Sequence, residues 1–590
     1  MGATVTRVFD ILEYNIENFP KNDFVNGKVN SEWKSYSTKD FCEKVDRLSR
    51  GLVSLGLKKG SRIAVMSPNR PEWNISDFAI MQLGAYQIPL YPTLAAQDVG
   101  FILKDAKVDL IFVADEALYL KVKAVVETLD FPVRVYSFDQ VSGVSHWSEL
   151  EQAGAAAAEI DLEPYRQAVT ADDILTLIYT SGTTGTPKGV MLTHDNLVQN
   201  FKNCAKIFPP NVRRVLSFLP LSHIFERMIV YVYFYTDAAV YYAESMDTIV
   251  ADIQHVKPHG FSTVPRLLEK VYDKIMEKGK ELTGIKRKIF AWSISEAERF
   301  EFSNGWVYNL KLSLARKLVF KKWQAALGGE IVVIVSGGAA LNPRLARIFW
   351  AAGMPVFEGY GLTETSPVIT VNHFDHTMFG SVGPAIDGVE IKIAEDGEVL
   401  TRGHNVMKGY YNRPDLTAET IDADGWFHTG DIGELVNQRF LKITDRKKEI
   451  FKTAGGKYVA PQILENKFKE ALLVEQVMVL GENRKFPAAL IVPNFTALKT
   501  WAAEKGVAYE SNQQLIQEPQ VLEKFEQIVQ DACKNFGKWE QVKRFHLLVK
   551  EWTIEGAELT PKLSLKRKVI LEKNKDAIEE IYRNAESYKI

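Results

Sequence analysis

The chain has 590 residues, more than one ordinary domain accommodates, so a large N-terminal unit with a smaller C-terminal one is the expected plan. Apolar residues make up 46% and charged residues 25%, as in a packed globular enzyme, and a formal charge of −2 gives no footing for non-specific nucleic-acid binding. Three cysteines (Cys42, Cys204, Cys533), none in a CxxC spacing, argue against a disulfide framework or zinc knuckle and for a reducing, cytoplasmic compartment. No run of eighteen apolar residues occurs, and the start carries no signal-peptide stretch. The opening MGATVT fits an N-myristoylation pattern through Gly2 and Thr6, so any membrane contact is expected to be peripheral, at the inner face.

In chain order, residues 40–56 read as an amphipathic helix with Val45, Leu48, Leu52 and Leu55 at helical spacing. Residues 63–66 form a short apolar run. A helix is expected over 78–86, and strands over 108–113 and 133–138. The run 174–179 leads into a Gly/Thr-rich loop. Residues 267–327 are charged and mostly helical by pattern, with Ser and Gly interruptions, and 331–335 restores a strand before a Ser-Gly-Gly turn. After about 385 the character changes to short alternating runs, 389–393 and 440–443, separated by Gly and Asp turns. A charged segment, 445–449, makes a hinge. Beyond it come a helix over 462–469, runs at 474–480 and 488–492, and a charged helical tail from Ser564. The expected fold is α/β: a large N-terminal domain of stacked α/β layers with a small β-subdomain (1–444), plus a smaller mobile α+β C-terminal domain (445–590).

The segment Tyr179-Thr-Ser-Gly-Thr-Thr-Gly-Thr-Pro-Lys-Gly189 carries the most chemistry. Gly182, Gly185 and Gly189 let the backbone turn and aim N–H groups at one anion. Ser181, Thr183, Thr184 and Thr186 add hydroxyl donors, and Lys188 a positive charge. A polar turn between strands is the plain alternative. It is not a Walker A loop, because Pro187 precedes Lys188 and Gly189 follows it.

This segment resembles the phosphate loop of the adenylate-forming superfamily. Further segments stand in that family's order: Leu219-Pro-Leu-Ser-His223, Ser336-Gly-Gly-Ala-Ala340, Glu358-Gly-Tyr-Gly-Leu-Thr-Glu364, Trp426-Phe-His-Thr-Gly-Asp431 and Asp445-Arg-Lys-Lys448. His223-Ile-Phe-Glu-Arg227 and the stretch 451–462 are most similar to long-chain fatty acyl-CoA synthetases. The resemblance implies ATP, Mg²⁺ and coenzyme A as co-reactants and a long-chain fatty acid as substrate. An acyl-AMP ligase that loads a carrier protein is the alternative. Monomer and homodimer both stay open.

The resemblance also distributes roles. Lys188 would meet phosphate charge, Thr363 the α-phosphate, and Glu364 would hold Mg²⁺, a hard cation that prefers carboxylate and phosphate oxygens. Asp431 and Arg446 would reach the ribose; a turn-capping aspartate is the alternative for the former. Gly338, Ala339 and Tyr360 would line the adenine slot, within the nucleotide-binding segments that also include Thr180, Glu358, Gly359 and Gly361. His223 is placed near the substrate carboxylate, or is a structural histidine. Gly455, Gly456 and Lys457 would face the thioester step from the CoA side.

Residues 228–235 read as a wall for an apolar tunnel or as core. At about 0.8 kcal/mol per buried methylene, such a tunnel selects long acids over acetate without separating neighbouring lengths. One segment departs from the family pattern. Leu559-Thr-Pro-Lys-Leu-Ser-Leu-Lys-Arg567 has Ser564 where the adenylation lysine is expected. Lys562, on the same side of an extended strand, is the expected replacement, with Lys566 as second candidate.

Overall fold

The computed structural model describes residues 4–181, 187–553, 555–560 and 565–583. The chain divides into two compact units: Met1–Lys392 with Leu400–His428 and Asn437–Leu441, and Ile393–Val399 with Thr429–Val436 and Lys442–Ile590.

The first unit is built on two eight-stranded sheets. One runs, edge to edge, Val368–Val371, Val356–Gly361, Val333–Ser336, Gly260–Thr263, Arg214–Ser217, Ala239–Tyr242, Val25–Val29, Glu32–Tyr36. Its interior pairings are parallel and its two edge pairings antiparallel. The central strands Gly260–Thr263 and Val333–Ser336 are buried at every position, as expected for parallel strands covered on both faces. The other sheet runs Gly409–Tyr410, Pro187–Thr193, Ile174–Ser181, Tyr86–Leu90, Arg62–Met66, Leu110–Val113, Arg134–Ser137, Ser145–His146.

Helix Thr38–Ser54 covers the expected 40–56. Ser37 caps it, accepting from the Asp40 N–H at 3.0 Å while the Asp40 carboxylate accepts from the Ser37 N–H, a reciprocal box that fixes the start. The helix expected over 78–86 is corrected: it spans Pro71–Gln82, and Tyr86 opens a strand. Pro71 sits at the first turn, where its missing N–H costs nothing, and Gly84, at φ +66°, ends the helix. Residues 267–327 fold as helices Pro265–Lys280, Gly284–Glu298 and Trp306–Ala315, a π-helical turn Arg316–Phe320, and helix Lys321–Ala326.

The second unit shows the period of two that its sequence carries. In strand Val474–Leu480, Val477 and Val479 join the core formed with helices Pro461–Phe468, Phe495–Lys505 and Pro519–Cys533. Met478 and Leu480 point to the opposite face, into a smaller core with Ile570, Ile578 and Ile581 from helices Arg567–Lys573 and Lys575–Arg583. Strand Ala488–Pro493 pairs antiparallel with Val474–Leu480 and parallel with Arg544–Leu547.

Candidate active site

In the first unit, strands Ile174–Ser181 and Pro187–Thr193 pair antiparallel, with Thr180 opposite Lys188. They form the base of the phosphate-loop segment. Gly182, Thr183, Thr184 and Gly185 lie outside the described residues, as does the side chain of Ser181. Tyr179 donates to the Asp105 carboxylate at 2.5 Å, and Gly189 accepts the Tyr411 N–H at 2.7 Å. The two-residue strand Gly409–Tyr410 extends this sheet, Tyr410 opposite Val190.

That pairing brings Tyr410 between two of the candidate residues. The Lys188 ammonium lies 5.0 Å from the centroid of the Tyr410 ring, a cation–π contact. The Tyr410 hydroxyl donates to Glu364 Oε1 at 2.9 Å. Burial, then the charge of Glu364, pushes the phenol far above its ordinary value, so it serves as a donor throughout the working pH range. Lys188, Tyr410 and Glu364 thus form one connected group. Tyr410 carried no signal by itself in the sequence, being one more aromatic in Gly409-Tyr-Tyr411.

Glu364 sits in a single 3-10 turn, Thr363–Thr365, which follows strand Val356–Gly361; its backbone carbonyl accepts the Met407 N–H at 2.9 Å. Thr363 is buried. Gly361 is demanded sterically: a Cβ there would come within 1.7 Å of the Pro367 carbonyl oxygen. Gly359 and Tyr360 pair with Val371 and Thr370 on the adjacent strand, so their backbone is fixed by the ladder.

Glu358 is buried, and its carboxyl accepts the Leu341 N–H at 3.0 Å, tying down the turn that contains Gly338 and Ala339. Burial pushes this carboxyl from an ordinary 4.5 up to about 8. The native state therefore holds a proton that the unfolded chain releases, and stability should fall as pH rises from about 4.5 toward about 8. Glu358→Gln should flatten that limb of a melting-temperature-against-pH curve while leaving Leu341 a carbonyl acceptor. An unchanged slope would assign the limb to other groups.

His223 precedes helix Ile224–Tyr235 and caps it, Nδ1 accepting the Phe225 N–H at 3.0 Å. In the neutral ring this leaves the proton on Nε2, an atom able to donate to a carboxylate. The turn packs on the Ser-Gly-Gly segment, for a Cβ on Gly337 would stand 3.2 Å from the Phe225 ring. Asn69, a second residue the sequence did not flag, holds the Leu219–His223 segment: its amide nitrogen donates to the Leu219 carbonyl at 2.7 Å and its oxygen accepts the Leu221 N–H at 2.9 Å.

Glu226 and Arg227 turn inward. Glu226 accepts from Ser217 at 2.5 Å and from Ser262, joining neighbouring strands Arg214–Ser217 and Gly260–Thr263. Arg227 grips Asp77 through Nη2 at 2.5 Å and Nε at 3.2 Å, and donates to Thr176 at 2.8 Å. Tyr231 donates to the same aspartate at 2.6 Å. Residues Met228 to Phe234 are all buried in the main hydrophobic core, which accounts for their apolar character.

In the second unit, Asp431 and Arg446 come together, Arg446 Nε lying 3.3 Å from Asp431 Oδ1. Asp431 is buried and Arg446 largely exposed, so a buried carboxylate is paired with a guanidinium that reaches solvent. Gly430, at φ +71°, donates its N–H to Glu398, which also receives Lys447 at 2.8 Å. Asp445 is buried and accepts the Gln462 N–H at the start of helix Pro461–Phe468. Desolvation raises it to about 7. Gly455 and Gly456 form the turn between strands Phe451–Lys452 and Tyr458–Val459. Lys457 lies over the Trp539 ring at 5.5 Å. Lys562 and Ser564 lie outside the described residues. Lys566 is half-buried ahead of helix Arg567–Lys573, its N–H bonded to the Glu558 carbonyl at 2.7 Å, next to an antiparallel bridge between Leu559 and Leu565.

Among the described residues no group of three or more His, Cys, Asp or Glu is arranged to hold a metal. A lone carboxylate beside a phosphate-loop hairpin fits Mg²⁺ instead, since that ion is usually held by one or two carboxylates and the substrate's own phosphates.

The fold and these clusters define an AMP-binding enzyme. The family of that description matches residues 12–411, and its C-terminal domain matches residues 449–586; the chain belongs to it. Long-chain-fatty-acid–CoA ligase FadD15 of Mycobacterium bovis is 34% identical over 566 residues, covering 94% of this chain and 93% of the relative. Long-chain-fatty-acid–CoA ligase 6 of Rattus norvegicus is 32% identical over 592 residues, covering 93% and 82%. Among solved structures, the adenylation domain of a carboxylate reductase from Mycobacterium chelonae shares the fold at a TM-score of 0.74 and 21% identity, covering 98% of this chain and 91% of that one.

Proposed function

We propose that the chain activates a long-chain fatty acid with ATP and passes the acyl group to coenzyme A, releasing pyrophosphate and then AMP. The observation that carries this is the Lys188–Tyr410–Glu364 group beside the phosphate-loop hairpin, in a chain whose relatives bear the name long-chain-fatty-acid–CoA ligase.

In the first half-reaction a carboxylate oxygen of the acid attacks the α-phosphorus of ATP and pyrophosphate leaves. Negative charge gathers on phosphoryl oxygens, and Lys188 with the backbone of 180–185 is assigned to meet it. Glu364, oriented by Tyr410, would hold Mg²⁺, which supplies further positive charge to the phosphates when bound. His223 would orient the acid through Nε2–H. Asp431 and Arg446 would hold the ribose hydroxyls by charge-assisted hydrogen bonds. In the second half-reaction the thiol sulfur of CoA attacks the acyl carbonyl and AMP leaves. Residues 445–590 would turn about Asp445 so that Gly455, Gly456 and Lys457 serve this step, dividing the work at 444/445. Lys562 is assigned to adenylation, with Lys566 second.

The test is a panel of acids from acetate to arachidate with ATP and CoA, quantifying AMP and thioester together. AMP and thioester formed in equal amounts, with a preference for long acids, is the expected result. AMP without thioester, reversed by adding a phosphopantetheinyl carrier protein, would replace CoA as acceptor. A preference for acetate would overturn the substrate class.

Two substitutions separate the half-reactions. Asp431→Ala should raise the KM for ATP and lower pyrophosphate exchange strongly while the melting temperature stays near wild type; an unchanged KM would remove the ribose assignment. Gly456→Val should slow thioester formation more than adenylation. Position 456 has φ +78°, and no atom outside the turn comes closer than 3.8 Å to a Cβ, so backbone strain, not a clash, is the perturbation. Fast adenylate formation with slow CoA consumption is the expected signature, and equal loss in both would signal misfolding.

A further inference from the structure

The continuous helical stretch formed by Trp306–Ala315, the π-helical turn Arg316–Phe320 and Lys321–Ala326 has two apolar faces. One is accounted for: Leu312, Ala315, Val319 and Trp323 recur at helical spacing and are buried in the core that this part of the first unit shares. The opposite face would ordinarily be polar. Here it carries Trp306, Leu310, Leu314 and Leu318, which are 74%, 62%, 50% and 41% exposed. Val307 and Phe302, each 50% exposed, widen the stripe at its N-terminal end. Contiguous exposed apolar residues on this scale mark an interaction surface, whereas singly scattered ones need no explanation.

The charge around the stripe says what covers it. From Phe302 through Gly329 the chain contains no Asp or Glu, while Lys311, Lys317, Lys321 and Lys322 are all exposed. Helix Gly284–Glu298 packs on the buried side of the stretch, Phe290 meeting Trp323 with ring centroids 6.4 Å apart, and its own first turn carries Ile285, 74% exposed, and the exposed Lys286, Arg287 and Lys288. The nearest acids of the preceding segment, Glu298 and Glu301, are paired with Arg344 and Arg347. An apolar stripe with an aromatic residue at one end and a rim of one positive sign matches a surface that is apolar within and negative at its boundary. Two copies meeting through this face about a two-fold axis would set the same lysine rims against each other.

We propose that this face docks the protein on an anionic lipid bilayer, the helical stretch lying in the plane of the interface with Trp306, Leu310, Leu314 and Leu318 inserted below the headgroups and the lysines among them. No membrane span is involved: no described helix is long and apolar enough to cross a bilayer. The inference stands independently of the acyl-activating chemistry, because it is read from a surface that contributes no residue to the candidate site.

The test is co-sedimentation of purified, unacylated full-length protein with phosphatidylcholine–phosphatidylglycerol vesicles and with phosphatidylcholine vesicles alone. The wild type should pellet with the anionic vesicles, less so as salt is raised. Leu310→Asp with Leu314→Asp should lower partitioning by about tenfold or more, since charge replaces inserted apolar area. Lys317→Glu with Lys321→Glu should weaken binding to the anionic vesicles only. All four positions are exposed, so melting temperatures should match wild type, and a variant that melts lower is replaced by the Ser substitution at the same sites. A wild type that stays in the supernatant, or a leucine double variant that binds as well as wild type, would overturn the proposal. So would light scattering in which the leucine variant turns a dimer into a monomer without any change in vesicle binding, which would assign the face to a second copy.

Discussion

Arg227→Met should lower the stability of the first unit by about 3–5 kcal/mol, the cost of leaving a fully buried carboxylate without its partner. Arg227 and Asp77 are both 0% exposed, so neither side chain touches bulk water. Burial lowers the affinity of the guanidinium for its proton, yet Asp77 and Tyr231 beside it more than offset that, so the charge is retained. The pair ties three elements together: Asp77 belongs to helix Pro71–Gln82, Arg227 to helix Ile224–Tyr235 and Thr176 to the strand that feeds the phosphate loop. The denaturant midpoint of the single variant, followed by tryptophan fluorescence, is the measurement, and Trp73, whose ring lies 5.5 Å from the guanidinium carbon, is a local reporter. Arg227→Met combined with Asp77→Asn removes both charges and should recover much of the loss, because replacing a whole buried pair is often neutral where breaking it is not. A single variant as stable as wild type would mean that Asp77 takes up a proton at little cost.

That network also shows where the sequence was legible and where it was not. The strands at 63–66, 108–113, 174–179, 389–393 and 474–480 declare themselves because apolar period and turn residues agree there, and the structure places them at Arg62–Met66, Leu110–Val113, Ile174–Ser181, Val389–Ile393 and Val474–Leu480. The helix at 71–82 was misplaced because it is buried on nearly every side, so its apolar residues trace no single stripe and only Pro71 and Gly84 mark its ends. For the same reason residues 228–235 could be read as tunnel wall or core; a helix apolar all round carries no sign of what lies against it. The charged pair in His223-Ile-Phe-Glu-Arg227 read as part of a family signature, but its work depends on Asp77, Thr176, Ser217 and Ser262, which the fold alone gathers. Tyr410 was missed on the same ground, since its contact with Lys188 comes from strand pairing across more than two hundred residues of chain and its bond to Glu364 from a turn that follows a strand of the other sheet.

Glu364→Gln should lower adenylation by about 100- to 1,000-fold, the scale on which one preorganised electrostatic contact acts in a transition state. The substitution keeps the size of the side chain and leaves a carbonyl oxygen to accept the Tyr410 hydroxyl, so the local packing of the Thr363–Thr365 turn is preserved. What it removes is a unit of negative charge at a hard oxygen, which is what Mg²⁺ selects. Pyrophosphate exchange measured across a range of Mg²⁺ concentrations is the readout, and the variant should need more Mg²⁺ to reach its own reduced maximum. Tyr410→Phe makes a graded companion: it retains the ring beside Lys188 and loses the 2.9 Å bond to Glu364, so the carboxylate stays charged but is less firmly aimed, and a loss of about tenfold is expected. The two variants together distinguish ligand from scaffold. If Glu364 only braces the turn, Gln and Phe should cost similar, small amounts and leave the Mg²⁺ requirement unchanged, because each keeps the packing. If it meets the metal, the charge-neutral variant must be the worse of the two, and adding Tyr410→Phe to it should cost little more, since a hydroxyl cannot aim a charge that is no longer there.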